Sequence, residues 1–180
     1  MITFLTVAKF TPQKNLKRML LAFSEVLKNY KNLRILIAGE GELKTEIQNF
    51  VRRLGINENV FFVGRIPQRK LKYLYLASDI FILISIFEGR SMAAVEALYA
   101  GLPVIVSDIP SMREIIGDVE VGIFVNPYDA EEIRRAILLL ATNPDLRIKF
   151  SKNAKRHFKK EVAINCLRRK MGFLKKAIFI

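Results

Sequence analysis

Short apolar runs alternate with longer segments of helical periodicity along this chain. Six runs of three to six residues are built mainly from β-branched, leucine and aromatic side chains, at residues 4–7, 33–38, 60–63, 79–84, 104–106 and 122–125. Runs this short are typical of strands, and side chains that are apolar at both odd and even positions indicate burial on both faces. The pattern therefore predicts a parallel sheet with helices on each side.

The segments between these runs carry apolar residues at helical spacing. The first stripe consists of Leu16, Met19, Leu20, Phe23, Leu27 and Tyr30. Asn15 precedes it as a candidate N-cap. Further helices are expected after Pro67 and at about residues 43–54, 91–100, 130–141, 145–158 and 163–177. This alternation, without an internal linker, predicts one doubly wound, Rossmann-like α/β domain of about six strands over residues 1–180.

The charge of the chain is concentrated at its C-terminal end. The formal net charge is +13, and 12 of the 30 Lys and Arg residues follow residue 146, where Glu161 is the only acid. Basic helices over about residues 144–180 predict an anionic partner, which is nucleic acid, a membrane surface or a phosphorylated substrate. A solvated helix face explains the same charge without any partner.

Residue counts exclude several kinds of site. Cys166 is the only cysteine and His157 the only histidine, so an internal disulfide is excluded and a His/Cys zinc site is not expected. No apolar run approaches the roughly 18 residues of a membrane span, and the start of the chain lacks the pattern of a signal peptide. We expect a soluble cytoplasmic protein, with a peripheral position at the inner membrane surface as the alternative.

Small and basic residues follow the predicted strands. In a doubly wound sheet they meet at the carboxyl edge, where ligands bind. They are Lys9 to Lys14, Gly39 to Gly41, Gly64, Arg65, Ser85 to Ser91, Ser107 to Arg113 and Asn126. Small residues let an anion approach backbone N–H groups, and helix N-termini add positive charge, so a phosphate site is predicted. A dehydrogenase-type site is not expected, because Lys44 replaces the third glycine it needs after Gly39 and Gly41.

Two acids, Glu88 and Glu96, stand eight residues apart around the start of the helix that follows the fourth predicted strand. This spacing places both carboxylates near one helix face, where they are able to accept hydrogen bonds from the vicinal hydroxyls of a sugar or ribose. By itself the spacing fits two solvated surface acids better than two ligand-binding acids. The surrounding sequence favours the second interpretation.

The motifs around these acids resemble the C-terminal domain of retaining glycosyltransferases of the GT-B fold, the glycosyl transferases group 1. The matching residues are Ser85, Glu88-Gly89, Glu96-Ala97 and Ala100 to Val104, preceded by Lys9, Lys14, Gly39 to Gly41, Gly64 and Ser78-Asp79, and followed by Arg113 to Ile116, Gly122 and Asn126-Pro127. Each motif is weak alone, but their order over residues 3–141 is specific. The resemblance implies one half of a GT-B fold, a domain that binds a nucleotide sugar.

The resemblance also implies a donor site and roles within it. The site consists of Lys9, Lys14, Gly39, Gly41, Arg65, Ile66, Glu88, Gly89, Arg90, Ser91, Met92 and Glu96. Lys9 and Lys14 would neutralise the diphosphate and stabilise it as a leaving group. Backbone N–H groups at residues 90–93 would bind the same phosphate oxygens.

The remaining implied roles concern the sugar and the nucleoside. Glu88 would contact the donor sugar, Glu96 would hold the ribose hydroxyls, and the backbone near Arg65 and Ile66 would meet the base. Lys9, Lys14 and Glu88 form the implied catalytic set. No cofactor or metal is implied, because lysines supply the positive charge, and the donor is a UDP-, GDP- or ADP-sugar.

The chain departs from the family pattern at several positions, which leaves the nucleotide and the sugar open. Arg90-Ser91 replaces Phe-Gly, and Arg90 is either an extra phosphate ligand or a solvated side chain. Ser91 is a good helix N-cap, which explains it without a ligand. Lys9 replaces Arg and would act as a point charge. The segment from Asp108 to Ser111 lacks a Gly-Gly pair that often contacts the sugar phosphate.

In this family the active site lies between two Rossmann-like domains, and the N-terminal one binds the acceptor. The resemblance therefore implies a missing acceptor domain or partner chain. The predicted helix over residues 163–177 carries an apolar face that fits such a partner. The alternative function is a non-catalytic nucleotide or nucleic-acid binding module that uses the basic tail, although no aromatic stacking platform is interleaved with the basic residues there.

Overall fold

The computed structural model describes residues 1–157 of the 180-residue chain. The predicted helix over residues 163–177 and most of the basic C-terminal tail lie outside the described residues, as does Cys166. The assignment of residues 1–180 to a single domain stays a prediction for the same reason.

Six parallel strands form one sheet. They are β1 (Ile2–Val7), β2 (Leu33–Ala38), β3 (Val60–Gly64), β4 (Ile80–Leu83), β5 (Val104–Ser107) and β6 (Gly122–Val125). Their order across the sheet is β3-β2-β1-β4-β5-β6, and every neighbouring pair is parallel. The predicted doubly wound α/β fold is therefore confirmed, and each predicted strand is present with its ends within two residues.

Helices connect the strands. They are α1 (Leu16–Asn29), α2 (Lys44–Arg53), α3 (Gln68–Leu76), α4 (Met92–Tyr99), α5 (Pro110–Ile116), α6 (Ala130–Thr142) and α7 (residues 144–157), and a 3₁₀ turn occupies Pro12–Lys14. Helix α5 is the one that the sequence pattern does not predict. It has only 7 residues, begins at a proline suited to a first helical turn, and buries just Met112 and Ile116.

The apolar residues of the sheet alternate between two cores, one on each face. Phe4 and Ile82 pack with α1, α2 and α6, whereas Leu5 and Phe81 pack with α3, α4 and α5. Because neighbouring residues of a strand face opposite sides of the sheet, a central strand between two helix layers is apolar at most positions, and Thr3 and Thr6 are the buried exceptions in β1. This burial on both faces explains why the six runs lack polar alternation.

Asn15 stands at the N-cap position of α1 but does not cap it through its side chain. Its backbone has φ +52°, and its Nδ2 donates a hydrogen bond of 2.7 Å to the Pro127 carbonyl. The expected capping bond is replaced by a tertiary bond that joins the loop after β1 to the loop after β6.

The loops after β1 and β2 approach each other closely at two glycines. A Cβ on Gly39 would lie 1.9 Å from the Ala8 carbonyl oxygen, and one on Gly41 would lie 2.5 Å from the Phe10 carbonyl oxygen. Gly39 also has φ +135°, a conformation that side chains disfavour. Both glycines are therefore required by backbone packing, independently of any ligand.

We expect Gly39→Ala to lower the free energy of unfolding by about 3 kcal/mol or more, because it combines backbone strain with a steric clash. Gly89→Ala is the matched control, since a Cβ there meets no atom within 4 Å. Urea denaturation of both variants measures the difference. Equal stability of the two variants would contradict the close approach of these loops.

Candidate functional site

A cleft of about 890 Å³ opens at the carboxyl edge of the sheet. It lies at the ends of β1, β2 and β4, where the strand order changes direction on either side of β1. The helices that follow β1 and β4 pack on opposite faces of the sheet, so their loops diverge and leave a crevice. This is the edge at which the sequence predicts the site.

Most of the predicted site residues line this cleft. They are Lys9, Lys14, Gly39, Gly41, Arg65, Ile66, Glu88, Arg90, Ser91 and Met92. Lys44 lines it without having been predicted and forms an ion pair of 3.0 Å with Glu40, which lies in the predicted segment Gly39 to Gly41. Glu96 and Gly89 are not among the lining residues. The tertiary structure therefore brings together ten of the twelve predicted residues.

Glu88 is the buried acid of the cleft, with only 8% of the residue exposed. Lys14 Nζ lies 2.6 Å from its Oε1, and the Ser85 hydroxyl donates a bond of 2.7 Å to the same oxygen. Two donors on Oε1 fix the carboxylate and leave Oε2 able to accept a bond from a ligand hydroxyl. The family motif includes Ser85, but the sequence does not show what this residue does. In the folded loop its hydroxyl, three residues before Glu88, reaches the Glu88 carboxylate.

The loops that carry Lys14 and Glu88 are tied together directly. The Ile86 N–H donates a bond of 2.8 Å to the Gln13 carbonyl, and Gln13 Nε2 donates one of 2.6 Å to the Phe87 carbonyl. These bonds cross the gap between the ends of β1 and β4. They hold the lysine and the glutamate in register, although 74 residues separate the two in sequence.

Further positive charge surrounds this pair. Lys9 and Arg90 are exposed and line the cleft. Helix α4 starts at the cleft wall, where Ser91 and Met92 are lining residues, and the first N–H groups of a helix have no partner within it. Ser91 is the N-cap, and its Oγ accepts a bond of 3.4 Å from the Ala94 N–H, so the expected capping role is confirmed. The arrangement suits an anion with several oxygens.

The position of Glu96 differs from the one that the sequence spacing predicts. The spacing predicts that Glu88 and Glu96 face one ligand, but Glu96 lines a neighbouring groove between α3 and α4 instead of the cleft. Its Oε1 accepts a hydrogen bond from Gln68 Nε2. The reason is that Glu88 lies in the loop before α4, so helical spacing does not apply to the whole interval. Leu71 lines both the groove and the cleft, so Glu96 adjoins the cleft.

An exposed ion pair follows β5, where the segment from Asp108 to Ser111 lacks the Gly-Gly pair of the family pattern. Arg113 Nε and its terminal nitrogen donate bonds of 2.7 and 2.8 Å to the two Asp108 oxygens, and the guanidinium stacks 3.9 Å from the centre of the Phe124 ring. The hydrogen bonds from Arg113 lower the pKa of the Asp108 carboxyl below its ordinary value. The pair is exposed, so its net stabilisation is small.

Within the described part of the chain, no three His, Cys, Asp or Glu side chains are grouped closely enough to hold a metal ion. Among residues 1–157, no helix has the length and apolarity needed to cross a lipid bilayer.

The fold and the cleft define a Rossmann-like α/β domain with a cleft lined by basic residues at the point where the strand order reverses. Comparison with known proteins specifies the family. The profile of the glycosyl transferases group 1 matches residues 2–157, and the chain belongs to this family.

The chain is also similar in sequence to individual proteins. A glycosyltransferase of Methanocaldococcus jannaschii is 30% identical over 152 residues, which cover 84% of this chain and 39% of that protein. The alpha-monoglucosyldiacylglycerol synthase of Streptococcus pneumoniae is 31% identical over 146 residues, covering 80% of this chain and 32% of that protein. The chain thus spans 32% to 39% of the length of these relatives.

Solved structures share the fold. Sucrose-phosphate synthase from Thermosynechococcus elongatus superposes with a TM-score of 0.84 at 23% identity, covering 99% of this chain and 45% of that one. The C-terminal domain of the group 1 glycosyltransferase LpcC from Francisella tularensis has a TM-score of 0.79 at 24% identity, covering 89% of this chain and 85% of that one. The predicted fold, a Rossmann-like domain that corresponds to one half of the GT-B fold, is thereby confirmed.

We expect Lys14→Met to lower the free energy of unfolding by about 1–3 kcal/mol, because the buried Glu88 carboxylate loses its cation. Lys17→Met is the control, since Lys17 pairs with Glu46 and both side chains are exposed. Chemical denaturation at neutral pH compares the two variants. A Lys14 variant as stable as the Lys17 variant would contradict the burial of the pair.

We expect Arg113→Gln to raise the pKa of Asp108 toward its ordinary value, because the carboxylate loses both hydrogen bonds. With the depressed pKa of the folded state, the pair stabilises the fold above the unfolded pKa of about 3.9, and this contribution is lost as the pH falls. NMR titration of the Asp108 carboxyl measures the change. Arg134→Gln, which removes a similar pair with Glu131, should leave Asp108 unaffected.

Proposed function

We propose that this chain is the donor-binding domain of a retaining glycosyltransferase, which transfers a sugar from a nucleoside-diphosphate sugar to an acceptor. The observation that carries the proposal is the Lys14–Glu88 pair, set in a basic cleft at the carboxyl edge of the sheet. A cation and a fixed carboxylate side by side suit a ligand that joins a phosphate to a polyhydroxylated ring.

The diphosphate is assigned to the positive side of the cleft. Lys9, Lys14 and the N-terminus of α4 line it together, and Arg90 is placed to contribute a further cation. Negative charge develops on the phosphate oxygens as the bond to the sugar breaks, so fixed cations and N–H groups stabilise the transition state more than the ground state. In this assignment lysines supply the charge that a divalent metal supplies in other transferases.

The sugar and nucleoside are assigned to the remaining walls. Glu88 Oε2 accepts a hydroxyl of the donor sugar, while Ser85 and Lys14 hold Oε1. Arg65 and Ile66, after β3, form the base end of the cleft. UDP is present in the solved structures of the related-fold proteins TarM and HepE, which favours a nucleoside diphosphate in this position.

Retention of configuration is proposed to follow from attack on the face that the leaving group departs from. The bond between sugar C1 and the phosphate oxygen breaks, the acceptor oxygen bonds to C1, and the acceptor proton passes to the departing phosphate. This scheme uses no carboxylate nucleophile. Glu88 instead orients the ring, and the cations of the cleft hold the nucleoside diphosphate.

The acceptor is assigned to a part of the enzyme beyond this chain. The chain covers 39% and 32% of the two relatives in sequence, so a complete transferase of their length contains further residues that would bind the acceptor. The LpcC structure consists of a C-terminal domain alone, which supports testing donor binding on a domain of this kind.

We expect the purified chain to bind one class among UDP, GDP, ADP and their sugar conjugates, measured by isothermal titration calorimetry. Lys14→Ala and Glu96→Ala should each weaken that binding by about tenfold or more, because each removes a hydrogen bond between a charged group and the ligand. Lys17→Ala, outside the cleft, is the control. We expect EDTA to leave the affinity unchanged.

The contrary result is a folded chain that binds none of these nucleotides. Binding of duplex or single-stranded nucleic acid that falls steeply with salt, without any nucleotide affinity, would instead support the binding-module alternative. Circular dichroism and thermal unfolding of each variant verify that the substitutions leave the fold intact.

A further inference from the structure

Glu96 is held by a neighbouring helix. Gln68, the first residue of α3, donates a hydrogen bond from Nε2 to Glu96 Oε1 on α4. Tyr75 on the same helix lies in the same groove as this carboxylate, and its hydroxyl donates a bond of 3.3 Å to the Ala93 carbonyl. Burial raises the pKa of the Tyr75 hydroxyl, and the charge of Glu96 and a hydrogen bond to it raise it further. Helix α3 therefore places two polar groups around one acid.

The location of this contact links it to the donor cleft. Gln68, Tyr75 and Glu96 line a groove of about 360 Å³ between α3 and α4. Leu71, which lies one turn after Gln68, lines both the groove and the cleft. The bond between Gln68 and Glu96 thus lies at the border of the cleft, on the side of Arg65 and Ile66.

We propose that Gln68 is a positioning residue, which sets the Glu96 carboxylate so that it receives the ribose hydroxyls of the donor nucleotide. This inference rests on the proposed function. The amide occupies one acceptor site of Oε1, and a carboxylate has about four such sites, so further sites serve a vicinal diol. A glutamate side chain has several rotatable bonds, so a fixed carboxylate binds a diol more tightly than a mobile one.

The chemistry of Gln68 suits this role. A neutral amide fixes the carboxylate without cancelling its charge, whereas a lysine would form an ion pair that competes with the ligand. Lys72, one helical turn further along, lines the same groove, but its Nζ lies 5.1 Å from the centre of the Tyr73 ring. Among residues 1–157, no salt bridge to Glu96 is formed.

The test compares ribose with deoxyribose. The dissociation constants of UDP, GDP, ADP and their 2′-deoxy forms are measured by calorimetry for the wild-type chain and for Gln68→Leu. We expect the substitution to weaken binding of the preferred ribonucleotide about fivefold, because the carboxylate loses its fixed position. The 2′-deoxy form should lose less, so the preference for ribose should fall. Gln48→Leu, on α2 and away from the cleft, should change neither constant.

A double-mutant cycle separates positioning from a general structural effect. In a Glu96→Gln background, Gln68→Leu should cause no further loss, because no carboxylate remains to be positioned. Gln68→Glu should weaken ribonucleotide binding more than Gln68→Leu, since it places a second negative charge beside Glu96. Position 68 is exposed, and thermal unfolding verifies that all variants fold.

The outcomes distinguish the two proposals. A wild-type chain that binds no nucleoside diphosphate overturns both. If the wild type binds and Glu96→Gln weakens binding, but Gln68→Leu leaves the preference for ribose unchanged, the positioning role is wrong and the proposed function stands. A ribose preference that Gln68→Leu reduces only when Glu96 is present supports the positioning role.

Discussion

The position of β1 at the centre of the sheet is the constraint on which the site depends. Strand β1 pairs with β2 on one side and β4 on the other, and the helices that follow β1 and β4 pack on opposite faces. The two loops must therefore diverge at the carboxyl edge, and the crevice between them is a consequence of topology. Bonds between Gln13 and the loop after β4 join the two sides of this crevice.

Within this crevice, opposite charges from two loops are matched at close range. Glu88 is buried enough that its charge needs a partner, and Lys14 supplies it at 2.6 Å. The same lysine faces the cleft, so one cation serves both the fold and the candidate site. Other cations of the cleft, such as Lys9 and Arg90, are exposed. The cleft thus combines a buried ion pair with exposed cations.

The fold could be predicted from the sequence to within a few residues because its signal is local. Residues of a strand buried between two helix layers must be apolar on both faces, and the six runs show this directly. The apolar stripe of α1 is equally clear in the sequence.

Helix α5 could not be predicted, because seven residues with two buried side chains show too little helical periodicity. Asn15 was assigned a capping bond, since no local pattern reveals that Pro127 lies within its reach.

The sequence by itself determined the class of fold, the edge of the sheet that carries the site, and most residues around it, because residues that follow parallel strands meet at one edge whatever the details of packing. Only the tertiary structure decided which side chains touch. It paired Lys14 with Glu88 across 74 residues, and it turned Glu96 toward Gln68. Such contacts depend on how separate loops and helices pack, and spacing along one chain segment does not contain that information.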